Sequence, residues 1–249
     1  MRISTLAITL CCAMLGSYRH ASAQMIRSAN TQGFELVELF TSEGCSSCPK
    51  ADRVVAELQD KYRDRNILVL AYHVDYWDYL GWKDVFSSGM NTLRQQYYTQ
   101  ILHLSSTYTP QAVVNGQYEM VGSDKEKIIT ALSRPSAVSP VIVQIDNISI
   151  KGKQLMIQTN LGNVSKGDVL IYCLVQRKAE TKVKNGENSG HTLQHINIVR
   201  KFGQIPAENG TNKLSLELSE QINKYAFFVA AFIQERSTGK VKIIATKTL

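Results

Sequence analysis

The stretch that decides the fold runs from residue 34 to residue 62 and reads FELVELFTSEGCSSCPKADRVVAELQDKY. It starts with a mostly apolar run, Phe34 to Thr41, which predicts a strand buried on both faces. Two cysteines, Cys45 and Cys48, follow a glycine turn. Pro49 suits the first turn of a helix, where its missing N–H has no intrahelical role, and apolar residues then recur at helical spacing. The stretch therefore predicts strand, C-x-x-C and helix in immediate succession.

The next hundred residues extend this unit. Ile67 to Val74 predicts a second buried strand, so that strand, helix and strand form a right-handed crossover. An aromatic-rich segment follows, and a Thr109-Pro110 pair precedes an Asn-Gly turn of the kind that closes a hairpin. The later elements are predicted as a helical insert at 84–104, hairpin strands at 111–114 and 118–121, and a helix at 123–132 opened by a capping box of Ser123 and Glu126.

The pattern changes between Pro135 and Pro140, beyond which no helix is predicted. Short strand-like stretches separated by Gly, Asn and Ser turns indicate a β-sandwich. They lie at 141–150, 153–161, 168–177, 192–202, 213–218, 225–234 and 240–247. We therefore expect an α/β domain with a helical insert at 34–136 and an all-β sandwich domain at 137–249.

The first 23 residues are typical of a secretory signal. Arg2 gives a positive start, Leu6 to Gly16 is a short apolar core, and Ala21-Ser22-Ala23 fits a cleavage site. The apolar core is too short for a stable membrane anchor. We therefore expect a signal peptide at 1–23, a flexible lead-in at 24–33, and an exported protein that is periplasmic or secreted, without stable membrane insertion.

The chain of 249 residues carries a formal charge of +7, and its basic residues are spread along the sequence. Nucleic-acid binding would need a clustered basic stripe with stacking aromatics, which the sequence does not show. The charge is better explained by a solvated surface, so we expect no nucleic-acid partner.

The two cysteines carry the chemistry. At a helix N-terminus, the first sulfur of C-x-x-C faces unpaired N–H groups and the positive end of the helix dipole, which stabilise a thiolate. Cys45 is therefore the predicted nucleophile, and Cys48, one turn in, resolves the mixed disulfide. Cys173 lies in an apolar strand and is predicted to be an inert core residue, with a third redox thiol as the alternative.

Two other interpretations of the pair stay open. It could form a passive disulfide, or it could bind a metal together with a histidine such as His73. Soft thiolates would then favour Cu(I) or zinc, although a structural zinc site usually needs four ligands. A metal-binding or metallochaperone module is therefore the alternative hypothesis. The redox interpretation implies no metal and no organic cofactor, because the disulfide itself carries the electrons.

Residues 34–134 resemble the thioredoxin superfamily in the order crossover unit, insert, Thr-Pro, hairpin and helix. The resemblance implies that Pro110 is cis and packs beside the disulfide. It also implies that the backbone of Thr109 pairs with an extended substrate. Both residues are therefore predicted to shape a substrate cleft.

Five motifs narrow the resemblance to the exported bacterial family of unknown function called DUF1223. They are FTSEGCSSCP at 40–49, HVDYWDYLGW at 73–82, YTPQ at 108–111, VNG at 114–116 and GEN at 186–188. The family implies a thioredoxin-like domain plus a β-sandwich and assigns no substrate.

Some residues near the motifs have two interpretations. Many thioredoxins carry a buried acid where this chain has Leu39; its neighbour Glu38 could tune the dithiol through a different geometry, or it could be a sheet-face carboxylate. His73 could tune the thiolate or be a hydrogen-bonded structural residue. Trp77 and the other aromatics of the insert could form a lid or groove over the dithiol, or close the core. Residues 186–190 could present polar groups to the first domain or to a partner, or simply join two strands.

The sequence as a whole predicts an exported thiol–disulfide oxidoreductase. Its partners would be a protein or small-molecule thiol or disulfide.

Overall fold

The computed structural model describes residues 34–134, 139–219 and 221–249, so the predicted signal peptide and lead-in lie outside the described residues. The helices and strands are β1 Glu35–Thr41, α1 Cys48–Lys61, β2 Ile67–His73, α2 Gly89–Ile101, β3 Gln111–Val114, β4 Tyr118–Val121, α3 Lys125–Leu132, β5 Ile142–Lys151, β6 Gln154–Gly162, β7 Asp168–Lys182, β8 Thr192–Pro206, β9 Gly210–Glu217, β10 Phe227–Glu235 and β11 Val241–Thr248, with short 3-10 helices at Asp78–Leu80 and Lys224–Ala226. Among the described residues, no helix has the length and apolar character needed to cross a membrane.

The first half contains the predicted crossover. β1 and β2 are parallel, and α1 connects them with Pro49 in its first turn. The β3–β4 hairpin turns at Asn115 and Gly116, both with positive φ. This is the backbone that an Asn-Gly turn of the I′ type requires.

Two predicted helix starts are corrected. The insert helix α2 begins at Gly89 instead of residue 84, because the Ser88 hydroxyl caps it by accepting the Met90 N–H at 3.1 Å. α3 begins at Lys125, and its cap is Asp124, whose carboxylate accepts the Lys127 N–H at 3.1 Å. The capping box predicted from Ser123 is therefore not formed.

Strands of the two halves of the chain share one sheet. Its order is β11-β10-β7-β8-β2-β1-β3-β4, and β5-β6-β9 form a second sheet of three strands. β8 joins β2 in parallel through the pair Ala71 and Ile198. The seven stretches predicted in the second half correspond to β5–β11. The expected boundary after residue 136 falls in the undescribed segment 135–138, and the division into two domains stays a prediction.

Three apolar clusters hold these layers together. One lies between α1, α3 and the β1–β2–β3 face, and includes Leu39, Ala51 and Ile128. A second lies on the opposite sheet face, and a third joins the small sheet to β7 and β10. The first cluster fixes α1 against the sheet, so the start of α1 is held at the ends of β1 and β2.

Candidate functional site

The predicted cysteine pair is a disulfide between Cys45 and Cys48, with 5.4 Å between the Cα atoms. Cys45 lies in the turn after β1, and Cys48 is the first residue of α1. Ser42 shapes this turn: its carbonyl accepts the Cys45 N–H at 3.2 Å, and its hydroxyl accepts the Gly44 N–H at 3.1 Å. Both cysteines are buried, with 1% and 0% of their surface exposed.

Residues 183–191, here called the cover loop, connect β7 to β8. They bind the turn at residues 42–47, which carries Cys45 and is here called the dithiol turn. The amide of Asn188 donates to the carbonyls of Glu43 at 2.8 Å and Cys45 at 3.0 Å. The carboxylate of Glu187 accepts the backbone N–H of Ser46 at 2.9 Å. The loop thus joins two strands and also presents polar groups to the first half, so the two interpretations of this segment are both realised.

Trp77 connects the dithiol turn to the Thr-Pro pair. Its indole N–H donates to the Thr109 hydroxyl at 2.8 Å. Its Cβ would lie only 3.0 Å from a Cβ placed on Gly44, so a glycine there permits the close approach. The Thr109–Pro110 peptide bond is cis, as the resemblance implied. The role of these two residues as a substrate cleft stays a prediction.

Five buried ionisable residues, here called the polar cluster, contact one another around Glu43 of the dithiol turn: Glu43, Asp52, His73, Asp84 and His195. Asp84 binds Nδ1 of His73 at 2.6 Å and accepts the Glu43 N–H at 2.9 Å. The His73 and His195 rings pack edge to face, with 4.8 Å between their centroids. The cluster therefore joins the end of β1, the start of α1, the end of β2 and strand β8.

His195 lies between two carboxyl groups of the cluster. Its Nε2 is 3.3 Å from Oε1 of Glu43, and its Nδ1 is 3.6 Å from Oδ2 of Asp52. Burial alone would lower the pKa of His195, but the two carboxyl groups outweigh it and raise the pKa to about 9. His195 is therefore a buried cation at neutral pH.

The pKa of Asp84 also departs from its ordinary value. Burial would raise the pKa of Asp84, but His73 and the backbone N–H groups of Glu43 and Phe86 outweigh it and lower the pKa. The other oxygen of the Asp84 carboxylate accepts the Phe86 N–H at 2.8 Å, which fixes its orientation.

Unpartnered polar atoms concentrate at this cluster. Among the described residues, the buried side-chain atoms without a hydrogen-bond partner include Oε1 of Glu43, Nε2 of His73, both ring nitrogens of His195, and Oγ1 of Thr41, which pairs with His73 across the strands. The contacts of His195 with Glu43 and Asp52 are thus ion pairs that lack hydrogen-bond alignment. Buried polar atoms are normally hydrogen-bonded, so such a concentration indicates a functional group or bound water.

Glu38, which the sequence offered as a residue that could tune the dithiol, does not belong to the polar cluster. Its carboxylate binds Arg94 through two contacts of 2.5 and 2.8 Å and also accepts from Tyr98. It shares a face of β1 with Leu36 and Phe40, whereas Leu39 faces α1. The strand itself therefore separates Glu38 from the helix that carries Cys48.

Cys173 is fully buried, and the hydroxyl of Tyr72 lies 3.5 Å from its sulfur. Burial raises the pKa of Cys173 to about 12. This agrees with the inert core cysteine predicted from the apolar strand.

Sequence reasoning missed several residues of the site. They are Glu43, Asp52, Trp82, Asp84 and His195. Glu43 and Trp82 stand inside the quoted motifs, and the Trp82 indole N–H donates to the Glu43 carboxylate at 2.8 Å. His195 occupies an inward position of β8, where a histidine among alternating apolar residues was the available signal.

The part of the chain that the structure describes contains no set of ligands for the alternative of a metal site. No group of three or more His, Cys, Asp or Glu side chains there could hold a metal ion.

Comparison with known proteins adds a family and a fold. Residues 36–234 match the model of a family described as "Protein of unknown function (DUF1223)". The X-ray structure of protein AGR_C_4864 from Agrobacterium tumefaciens is 27% identical with a TM-score of 0.65, covering 88% of this chain and 96% of that chain. A domain of the outer membrane lipoprotein Omp28 from Porphyromonas gingivalis reaches 11% identity and a TM-score of 0.23, covering 46% of this chain and 90% of that chain, which is too low to carry an argument. No curated protein matches the chain.

Proposed function

We propose that this chain, which belongs to the DUF1223 family, is a thiol–disulfide oxidoreductase of thioredoxin-like type. It would act on protein or small-molecule thiols and disulfides. The observation that carries the proposal is the disulfide between Cys45 and Cys48, set in the turn between β1 and the first residue of α1. A pair at a helix start can exchange between dithiol and disulfide without moving the sheet beneath it.

The reaction follows from the order of the two sulfurs. The Cys45 thiolate attacks a substrate disulfide, forms a mixed disulfide and releases one substrate thiolate. The Cys48 thiolate then attacks the Cys45 sulfur, closes the internal disulfide and releases the second substrate thiolate. Two electrons pass from the dithiol to the substrate, and the reverse sequence oxidises a substrate dithiol. No organic cofactor takes part.

Access to Cys45 depends on the cover loop. The cysteine is 1% exposed, and Asn188 and Glu187 bind the turn that carries it. Exchange with a protein substrate therefore requires this loop to move. The cleft that opens would be flanked by Thr109, which Trp77 ties to the same turn.

The proposal includes export to the periplasm or the exterior, as the N-terminal sequence predicts. An oxidising compartment lets such a pair cycle or rest as a disulfide. The substrates would then be exported proteins or small thiols, and neither nucleic acid nor stable membrane insertion enters the proposal.

The test is insulin reduction together with the reduction potential of the pair, measured by thiol trapping in glutathione buffers. Wild type should reduce insulin in the presence of dithiothreitol, and Cys45→Ser should abolish the effect, whereas Cys173→Ala should retain it. If Cys45→Ser left the activity unchanged, or if no disulfide formed at any potential, the proposal would be wrong. Stoichiometric metal after anaerobic purification would instead support the metal-binding alternative.

A further inference from the structure

Opening the buried disulfide poses an electrostatic problem at Cys48. When a thiolate attacks Cys45, the S–S bond breaks and its electron pair leaves with the Cys48 sulfur. Cys48 is 0% exposed, and a buried thiolate without a counter-charge is strongly destabilised. A proton must therefore be delivered inside the protein as the bond opens.

Asp52 is placed to deliver it. It lies four residues after Cys48 on α1, so the two side chains occupy the same helix face with about 5–6 Å between their Cβ atoms. Both residues are buried. Asp52 also lies 3.6 Å from the Nδ1 atom of His195. A path from His195 to the sulfur therefore passes through one carboxyl group.

Strand β8 holds His195 against this helix. The amide of Asn197, two residues further along β8, donates to Gln59 of α1 at 3.2 Å. Neither ring nitrogen of His195 has a hydrogen-bond partner, although the residue is 3% exposed. No competing hydrogen bond therefore holds either nitrogen, and proton transfer across the 3.6 Å from Nδ1 to Asp52 requires a small side-chain movement or one bridging water.

We infer that His195 is a positioning residue that supplies a proton through Asp52 to Cys48 when the disulfide opens. Protonated His195 passes its proton to the Asp52 carboxylate, and the Asp52 carboxyl group passes one to the Cys48 thiolate. The products are neutral His195, ionised Asp52, the Cys48 thiol and a mixed disulfide on Cys45. The inference rests on the proposed function and names its proton source.

The charged surroundings of His195 support this role. Glu43 faces it from the dithiol turn, Asp52 from α1 and His73 from β2, and Asp84 stands behind His73. The guanidinium of Arg200 on β8 and the His195 ring both pack against the ring of Phe86. The carboxyl groups dominate, because the pKa of His195 is raised to about 9 despite burial. The donor is therefore protonated over the neutral range.

The experiment measures the rate at which dithiothreitol reduces the disulfide from pH 6 to pH 10.5. Each rate is divided by the concentration of dithiothreitol thiolate at that pH. In wild type this rate should be flat up to about pH 8 and fall above about pH 9, where His195 loses its proton. His195→Gln should slow it by at least about 10²-fold and remove the fall. His191→Gln, an exposed histidine of the same hairpin, is the matched control and should behave as wild type.

Asp52→Asn gives an independent test that does not depend on the folding of the histidine variant. Its rate of reduction should be lowered as much as that of His195→Gln and should not decrease further above pH 9. The double variant should be no slower than either single variant. A wild-type profile in Asp52→Asn, or a His195→Gln profile that keeps the fall above pH 9, would overturn the inference. If wild type itself does not exchange with dithiothreitol, the proposed function fails instead.

Discussion

Asn188 and Cys45 are separated by 143 positions in the sequence, and the Asn188 amide donates a hydrogen bond of 3.0 Å to the Cys45 carbonyl. The same amide donates to the Glu43 carbonyl at 2.8 Å. One buried side chain from the second half of the chain thus binds both residues that flank Gly44 in the dithiol turn. A residue that the C-x-x-C motif does not contain therefore helps to hold the dithiol turn in place.

The first prediction is that Asn188→Ala accelerates reduction of the disulfide. The substitution removes two hydrogen bonds, each contributing about 1 kcal/mol, and therefore favours the open cover loop. Because 1.4 kcal/mol corresponds to a factor of ten, we expect reduction by dithiothreitol to be about tenfold faster or more. Asn185→Ala, at an exposed position of the same loop, should leave the rate unchanged. An unchanged rate in Asn188→Ala would show that the loop does not limit access.

The second prediction concerns the negative charge of Glu187. Its carboxylate accepts the Ser46 N–H, and this hydrogen bond lowers the pKa of Glu187, so the charge is present at neutral pH. A carboxylate beside the start of α1 opposes formation of the Cys45 thiolate. In the reduced protein, Glu187→Gln should therefore raise the rate of iodoacetamide alkylation of Cys45 about two- to fivefold at low salt.

High salt should shrink this difference, because the carboxylate is exposed and screened. Glu180→Gln removes an exposed charge from β7 of the same hairpin and is the matched control. Slower alkylation in Glu187→Gln would mean that the carboxylate mainly orders the turn.

Local patterns predicted most elements of the fold. The run from Phe34 to Thr41, the proline after Cys48 and the Asn115-Gly116 turn each specify their own backbone, so β1, α1 and the hairpin follow from neighbouring residues. The start of α2 was missed because Asp84, expected inside the helix, instead binds the N–H groups of Glu43 and Phe86. A tertiary contact of this kind overrides local propensity.

The composition of the site was less predictable, because it depends on which strands pair. β8 joins β2 through only one residue pair, Ala71 and Ile198, and this contact brings His195 to the dithiol. Periodicity predicts β8 as a strand but does not specify its neighbour. For the same reason, the sequence does not indicate that Glu38 forms an ion pair with Arg94. Arg94 lies on α2 and contacts Glu38 across the sheet face.

The third prediction tests the pair formed by Glu38 and Arg94. Both side chains are almost fully buried, so Arg94→Ala leaves an uncompensated carboxylate. We expect a loss of about 3–5 kcal/mol in the free energy of unfolding, measured by urea denaturation. The double variant Glu38→Gln with Arg94→Met should recover part of this loss. If Glu38 has only this structural role, Glu38→Gln should leave the reduction potential of the Cys45–Cys48 pair unchanged. A shifted potential would show that Glu38 also acts on the cysteine pair.

The fourth prediction concerns Cys173. Burial raises its pKa to about 12, so almost no thiolate is present at pH 8. After reduction of the folded protein without residues 1–23, which contain Cys11 and Cys12, mass spectrometry should find Cys45 alkylated and Cys173 unmodified. Cys173 becomes alkylated only after denaturation. Cys173→Ala should keep the reduction potential of the pair, and a changed potential would show that the third thiol takes part.

The fifth prediction is a pH dependence of stability that originates at His195. Its pKa is about 9 in the folded protein against about 6.5 for an unperturbed histidine. Because the folded-state pKa is the higher one, the folded protein binds the proton more tightly. The resulting stabilisation is complete below about pH 6.5 and is lost as the pH rises to about 9. A shift of this size corresponds to about 3 kcal/mol.

Urea denaturation of wild type and His195→Gln at pH 6 and pH 9.5 measures this contribution. The difference in unfolding free energy between the two proteins should be larger at pH 6 by about 3 kcal/mol, because glutamine carries no charge at either pH. His191→Gln, which removes an exposed histidine from the same hairpin, should show no such change. An equal difference at both pH values would mean that His195 is neutral in the folded protein, and that Glu43 and Asp52 do not hold a proton on its ring.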